Sequence, residues 1–417
     1  MIKFRIYFVS VFAIIFFTLS ARTGYAQMQC VANAAVPPTI RSEGLAERVG
    51  DYVMDCSGGI AGAPVTVNFT LFLNTAVTSR ILALPSTTEA LLLIDEPAPG
   101  AQVLNVNVFP GLLSGGNSIS WQNISFAEPG AGAHRIFRLT NVRANANGIA
   151  GSPSMVQALL SSSAGVSIMN PVQVVAFGLK GMNLSASKTT FDRSLAPGVF
   201  GNPSQFTITF SEGFPAAYRK KIEGSFQDIP GLIFNTESGF TSSATGAAGL
   251  ADTGTRLVAR FSNVPSGVSL SVPTTVTSGS LTAVLMTGMG PDFSGGIPAA
   301  SGDIGLAGGS GVAVWEITNA DPVAVHNITI PVTVSYAPGI LGGTASVSGS
   351  LGPISTLATA TASATDPLPR FVDQAVTVPA FQISIAIPTM NEWGMLIFVA
   401  LSGLGSIYHL RRSAVKR

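Results

Sequence analysis

The chain has 417 residues, of which 47% are apolar and only 10% charged, against about 25% charged in an average globular protein. Seven of its 22 basic residues (Lys3, Arg5, Arg22, Arg411, Arg412, Lys416 and Arg417) sit at the two ends with Glu392, so residues 27–390 carry 15 basic against 20 acidic side chains. A mildly acidic body excludes a nucleic-acid surface, which needs clustered Lys and Arg to displace counterions, and roughly 360 residues exceed what one hydrophobic core organises.

The amino end comes first. Lys3 and Arg5 precede an apolar run over 6–19, and Gly24-Tyr25-Ala26 places small residues where a signal peptidase reads them. Cleavage is expected after Ala26, with Ala21 as the second choice, and residues 1–26 form a signal helix. Met28 and Gln29 ahead of Cys30 do not make a lipoprotein signal. Export places the only two cysteines, Cys30 and Cys56, in an oxidising compartment, where a disulfide is the simplest outcome. It would contribute roughly 3–4 kcal/mol by closing its loop. A pair of buried thiols is the alternative.

The body reads as strands and turns. Residues 65–73, 103–109, 205–210, 268–272 and 328–334 alternate apolar and polar positions, are rich in β-branched side chains, and are bounded by Gly, Pro, Asn and Ser. Residues 154–160 and 214–222 are expected to hold one or two helical turns each, and Arg219-Lys220-Lys221 a solvated turn. Three phrases resemble one another: Arg138-Leu-Thr-Asn-Val142, Arg260-Phe-Ser-Asn-Val264 and Glu316-Ile-Thr-Asn-Ala320. In each, the Asn suits a strand-to-loop corner because it tolerates left-handed backbone. The pattern predicts an all-β body of antiparallel, immunoglobulin-like β-sandwiches at 27–178, 179–278 and 279–386, with two larger domains as the alternative.

Chemistry is sparse. His134, His326 and His409 are the only histidines, and no Cys or carboxylate motif beside them suggests a metal site. No Gly-x-Ser-x-Gly elbow occurs. Asp95-Glu96-Pro97 reads as a charged strand end entering a turn, and the Gly-rich stretches as loops. No catalytic residue, cofactor or metal is expected, and the chain is read as a non-enzyme. A glycan-binding face would need exposed aromatics, for which Trp121, Trp315, Tyr218 and Tyr336 are the candidates.

The carboxy end carries the strongest signal. Ile387-Pro388-Thr389-Met390-Asn391-Glu392-Trp393-Gly394 leads into 17 uncharged residues, 394–410, and then Arg411, Arg412, Lys416 and Arg417. At about 1.5 Å per residue this run just spans a thin hydrocarbon core. Asn391 suits an N-cap, Trp393 the headgroup level, and Arg411 and Arg412 a cytoplasmic membrane stop. Residues 387–417 resemble the IPTL-CTERM sorting domain of bacterial envelope proteins: Ile387, Pro388, Thr389, Trp393 and Gly394 match, and Met390 replaces the usual Leu. The resemblance implies a membrane sorting protease of exosortase type as a partner, beside signal peptidase and the membrane itself. The expectation is an inner-membrane-anchored precursor that reaches the cell envelope, surface or matrix, with a structural, matrix or adhesive role. A module binding a surface polysaccharide is the alternative, and a secreted hydrolase the third reading.

Overall fold

A computed structural model of the chain describes residues 27–414 apart from 84–85, 152, 164, 223–226, 356–359 and 386–389. The expected signal peptide and its expected cleavage site at Ala26, and Ile387, Pro388 and Thr389, lie outside the described residues.

The first half builds one continuous twelve-stranded sheet. Its path runs Val166–Met169, Met28–Ala34, Tyr52–Gly58, Gly130–Thr140, Thr87–Ile94, Val108–Gly115, Ser118–Ala127, Pro64–Leu73, Ser154–Ser162, Val172–Leu179, Thr39–Arg41, with Ile81–Ala83 beside Thr87–Ile94. Period-two burial turns one face of each strand inward: Met28, Cys30 and Ala32 are buried and their neighbours exposed. The sheet curls around one core that includes Phe69, Trp121, Phe137 and Val156. The expected purely antiparallel sandwich is corrected here, because the two outermost pairings, Met28–Ala34 with Val166–Met169 and Val172–Leu179 with Thr39–Arg41, are parallel.

The second half is a true two-layer sandwich. A five-stranded sheet contains Gln205–Glu212 and Asn327–Ser335, and an eight-stranded sheet contains Arg256–Ser262, Gly311–Asn319, Gly343–Gly352 and Val376–Ser384. Both face one core that runs from Met182 to Ile383. The expected boundary at Ser278 does not divide this unit. Thr275–Ser278 pairs with Leu281–Met289 across it, and side chains from 179–278 and 279–386 fill the same interior.

Several local expectations are met and several are corrected. Asn141 and Asn263 adopt φ of 58° and 56°, the left-handed corners foreseen for two of the three related phrases. Asp95 and Glu96 also turn left-handed, at 57° and 46°, directly after Thr87–Ile94. Residues 103–107 are a turn rather than a strand: Asn105 has φ 59°, and the Asn107 amide oxygen takes the Val103 N–H at 2.7 Å. Residues 154–160 are strand throughout, because every second side chain meets the core. No helix forms over 214–222, whose turns instead carry Phe214, Ala217 and Tyr218 into the second core.

Cys30 and Cys56 are disulfide-bonded across directly opposed positions of Met28–Ala34 and Tyr52–Gly58, with Cα atoms 3.9 Å apart. The bridge closes a separation of 26 residues. Replacing both cysteines with Ala should therefore cost about 3 kcal/mol, measured by denaturant titration. Thiol labelling of the denatured, unreduced wild type should find neither cysteine.

Candidate functional site

The tail is a helix, Met390–Ala414. Among its described side chains, Met395, Leu396, Ile397, Phe398, Val399, Leu401, Leu404 and Ile407 are all more than half exposed. Five of these are consecutive and successive helical positions turn by about 100°, so apolar surface covers the whole circumference. Among the described residues no helix is long and apolar enough to cross a membrane. The expected transmembrane segment is thus present as a helix and not established as a span. Trp393 and Gly394 lie in its first turn, and Arg411 and Arg412 in its last.

The aromatic candidates for a glycan face are all interior. Trp121 and Trp315 are fully buried, and Tyr218 and Tyr336 nearly so. Burial drives the Tyr218 hydroxyl well above its ordinary value, with the Glu212 and Glu43 carboxylates adding to the effect. No stacking platform arises from these four.

The histidines find carboxylates that sequence spacing concealed. His134, on an exposed strand face, sits 2.7 Å from Asp55. His326 is buried, with Nδ1 2.9 Å from Glu212 and Nε2 3.1 Å from the exposed Ser280 hydroxyl. The order Ser280, His326, Glu212 is that of a nucleophile, base and orienting carboxylate. Catalysis would also need donors aimed at a developing oxyanion. The Glu212 carboxylate instead accepts the Tyr218 N–H at 2.6 Å and the His326 N–H at 2.7 Å. It ties a loop to a strand, and the array reads as a satisfied structural one. Among the described residues no group of three His, Cys, Asp or Glu side chains is placed to hold a metal.

The densest chemistry lies where the two halves meet, between residues far apart in the chain. The short ladder Glu47–Arg48 with Arg143–Ala144 carries charged side chains inward. The Arg41 guanidinium donates both Nη groups to Glu237 of the second half, at 2.7 and 2.9 Å, and Nε to Glu47 at 2.8 Å. Arg143 pairs with Glu89 at 2.9 Å and donates to the Glu237 carbonyl at 3.0 Å. Arg219, expected on a solvated turn, is buried instead, reaching the Thr39 carbonyl at 3.1 Å and Glu47 at 3.8 Å. Around it, Glu43 accepts the Gly181 N–H at the connection between the halves.

These contacts set the charges. Burial opposes the charge of Glu237, yet Arg41, with further help from Arg219 and the Thr255 hydroxyl, holds its carboxyl below the ordinary 4.5. Burial likewise opposes the Arg41 cation, and Glu237 and Glu47 more than offset it, raising its value. Arg48 differs: burial, then the Arg143 and Arg219 cations, lower it from 12.5 to about 10.

No family model matches the chain, and a comparison with curated proteins finds no match. Among solved structures, the chain is similar to the C-terminal domain of the Streptococcus agalactiae AgI/II polypeptide BspA, at 7% identity over 85% of this chain and 99% of that one, with a TM-score of 0.32. It is also similar to the C-terminal domain of the Streptococcus pyogenes antigen I/II-family protein AspA, at 8% identity over 86% and 99%, with a TM-score of 0.30. A third structure, AvmM, described as catalysing macrocyclization in alchivemycin A biosynthesis, aligns at 9% identity over 51% and 94%, with a TM-score of 0.22. At these scores the likeness establishes neither a family nor a function.

Proposed function

We propose that this is an exported cell-envelope protein, sorted through residues 387–417, whose body serves a structural, matrix or adhesive role. The observation that carries this reading is the tail helix, whose apolar side chains are exposed all round beside a cationic end. A helix apolar on every face is stable only when something apolar surrounds it. Lipid does so, and anionic headgroups complement Arg411, Arg412, Lys416 and Arg417. The helix holds the chain at the inner membrane, Ile387, Pro388 and Thr389 are read by a membrane protease of exosortase type, and the arginines stop passage. The disulfide and the charged junction between the halves suit a body that persists outside the cell.

Replacing Pro388 and Trp393 with Ala should leave export and membrane partition intact and block processing. Replacing Arg411 and Arg412 with Gln should disturb anchoring instead. The mature mass and membrane partition of each variant in the native host are the measurements. A wild-type protein that keeps Arg417 and stays in the inner membrane would defeat the sorting reading.

A further inference from the structure

A cavity of about 80 Å³ opens between the halves, floored by Arg48, Arg138 and Arg219 and lipped by Val36, Leu232 and Ile233. The three arginines are not equivalent. Arg138 is answered by Asp51 at 2.9 Å and by Glu96. Arg219 has Glu47 at 3.8 Å and gives Nε to the Ala216 carbonyl and one Nη to the Thr39 carbonyl, which leaves further N–H donors. Arg48 has no carboxylate within ion-pair distance among the described residues. One Nη donates to the Phe234 carbonyl, its guanidinium lies 5.8 Å from the Phe234 ring centre, and its buried Nε has no partner. A cation held this way is costly unless an anion meets it.

The lip has the opposite character. Val36, Leu232 and Ile233 are 55%, 46% and 62% exposed, a cluster of aliphatic side chains around a charged floor. Size narrows the choice further. One water needs about 10–15 Å³ of such space, so this cavity holds about six water-sized positions, enough for a carboxylate and a short branched chain.

We infer that this cavity binds a carboxylate carried on a short aliphatic group, with the oxyanion on Arg48 and Arg219 and the aliphatic part against Val36, Leu232 and Ile233. A planar guanidinium with free donors recognises a carboxylate in bidentate fashion. Two sources present this chemistry: a free branched-chain acid, or the carboxy terminus of a peptide ending in a residue such as Leu. The site is independent of the tail, so it stands or falls apart from the sorting reading.

Calorimetric titration of the full-length protein tests it. Isovalerate should bind saturably, and the neutral isostere isovaleramide and inorganic sulfate at least tenfold more weakly. Gly-Gly-Leu with a free carboxylate, compared with its amide, separates the two sources: tighter binding than isovalerate assigns a peptide end, weaker binding the free acid. Arg48→Gln should lower isovalerate affinity at least tenfold without lowering the melting temperature of the unliganded protein, a result that a purely structural arginine would not give. Ile233→Glu, on the exposed lip, should weaken isovalerate binding several-fold and more than Ile233→Gln, which loses only the aliphatic contact, whereas the remote Arg135→Gln should leave it unchanged. Equal binding of acid and amide, no binding of either, or wild-type affinity in both Arg48→Gln and Ile233→Glu would overturn the assignment.

Discussion

Truncating Glu237 to Ala should cost about 3–5 kcal/mol of stability, because it strands buried cations that have no route to water. The Glu237 carboxylate holds both Nη groups of Arg41 and also contacts the Thr255 hydroxyl. With it gone, Arg41 keeps only Glu47 and its backbone and hydroxyl contacts, in a site 1% exposed. Arg41→Met should cost a similar amount by stranding Glu47 and Glu237 instead. The double variant Arg41→Met/Glu237→Leu should lose less than the sum, with a coupling of about 0.5–3 kcal/mol. Urea titration of the four proteins closes the cycle. Acid adds a second signature. The folded Glu237 value lies below the ordinary 4.5, so the unfolded chain takes up the proton first and acidification favours unfolding. This contribution is complete above the unfolded value and is lost as pH falls through the folded one. Stability should therefore drop less steeply below pH 4.5 in Glu237→Gln than in the wild type.

Trp315→Ala should cost about 3–5 kcal/mol, the usual range for emptying an aromatic site that cannot collapse. Trp315 is fully buried in the second core, and its indole N–H reaches the Pro273 carbonyl at 3.3 Å. Trp121 fills the corresponding role in the first core, but its indole N–H has no partner among the described residues. The two residues should part company on replacement by Phe. Trp315→Phe strands a carbonyl, whereas Trp121→Phe removes an orphaned donor and regains part of the roughly 1–3 kcal/mol that such a group costs. Thermal melts of both Phe variants, with both Ala variants as references, give the comparison. A Trp121→Phe loss as large as that of Trp315→Phe would mean the orphaned donor costs nothing.

Local pattern made much of the body legible. Gln205–Glu212 and Asn327–Ser335 alternate so regularly that their inward faces can be read from the sequence. The cysteine pair and the Asn corners were equally plain, since each depends on nearby residues and compartment. The run Leu91-Leu-Leu-Ile94 lies in a strand buried on both sides. Leu92 and Ile94 do face the first core, while Leu91 and Leu93 face a separate cluster with Phe234 and Phe240. That second cover comes from about 140 residues downstream, a distance no local pattern reports. The same holds for the charged junction. Arg41 meets Glu237 across 196 positions, and Arg219 looked solvated because its two lysine neighbours suggested a surface turn. Residues 103–107 misled in the other direction: their alternation is that of a strand, but Asn105 turns left-handed and the Asn107 side chain bonds the backbone of Ala101 and Val103.

The cover over Leu91 and Leu93 has a consequence for biogenesis. Polypeptides are made and exported amino end first. Every strand of the twelve-stranded sheet emerges before Phe234, Phe240 and Ala248, the residues that shield its outer apolar face. Glu47 and Arg41 also emerge long before Glu237. For that interval the leading half carries a bare leucine face, and Arg41 has Glu47 but not Glu237 to answer it. Its closure waits on residues of the second half, so it is one part of a single assembly rather than a self-sufficient domain.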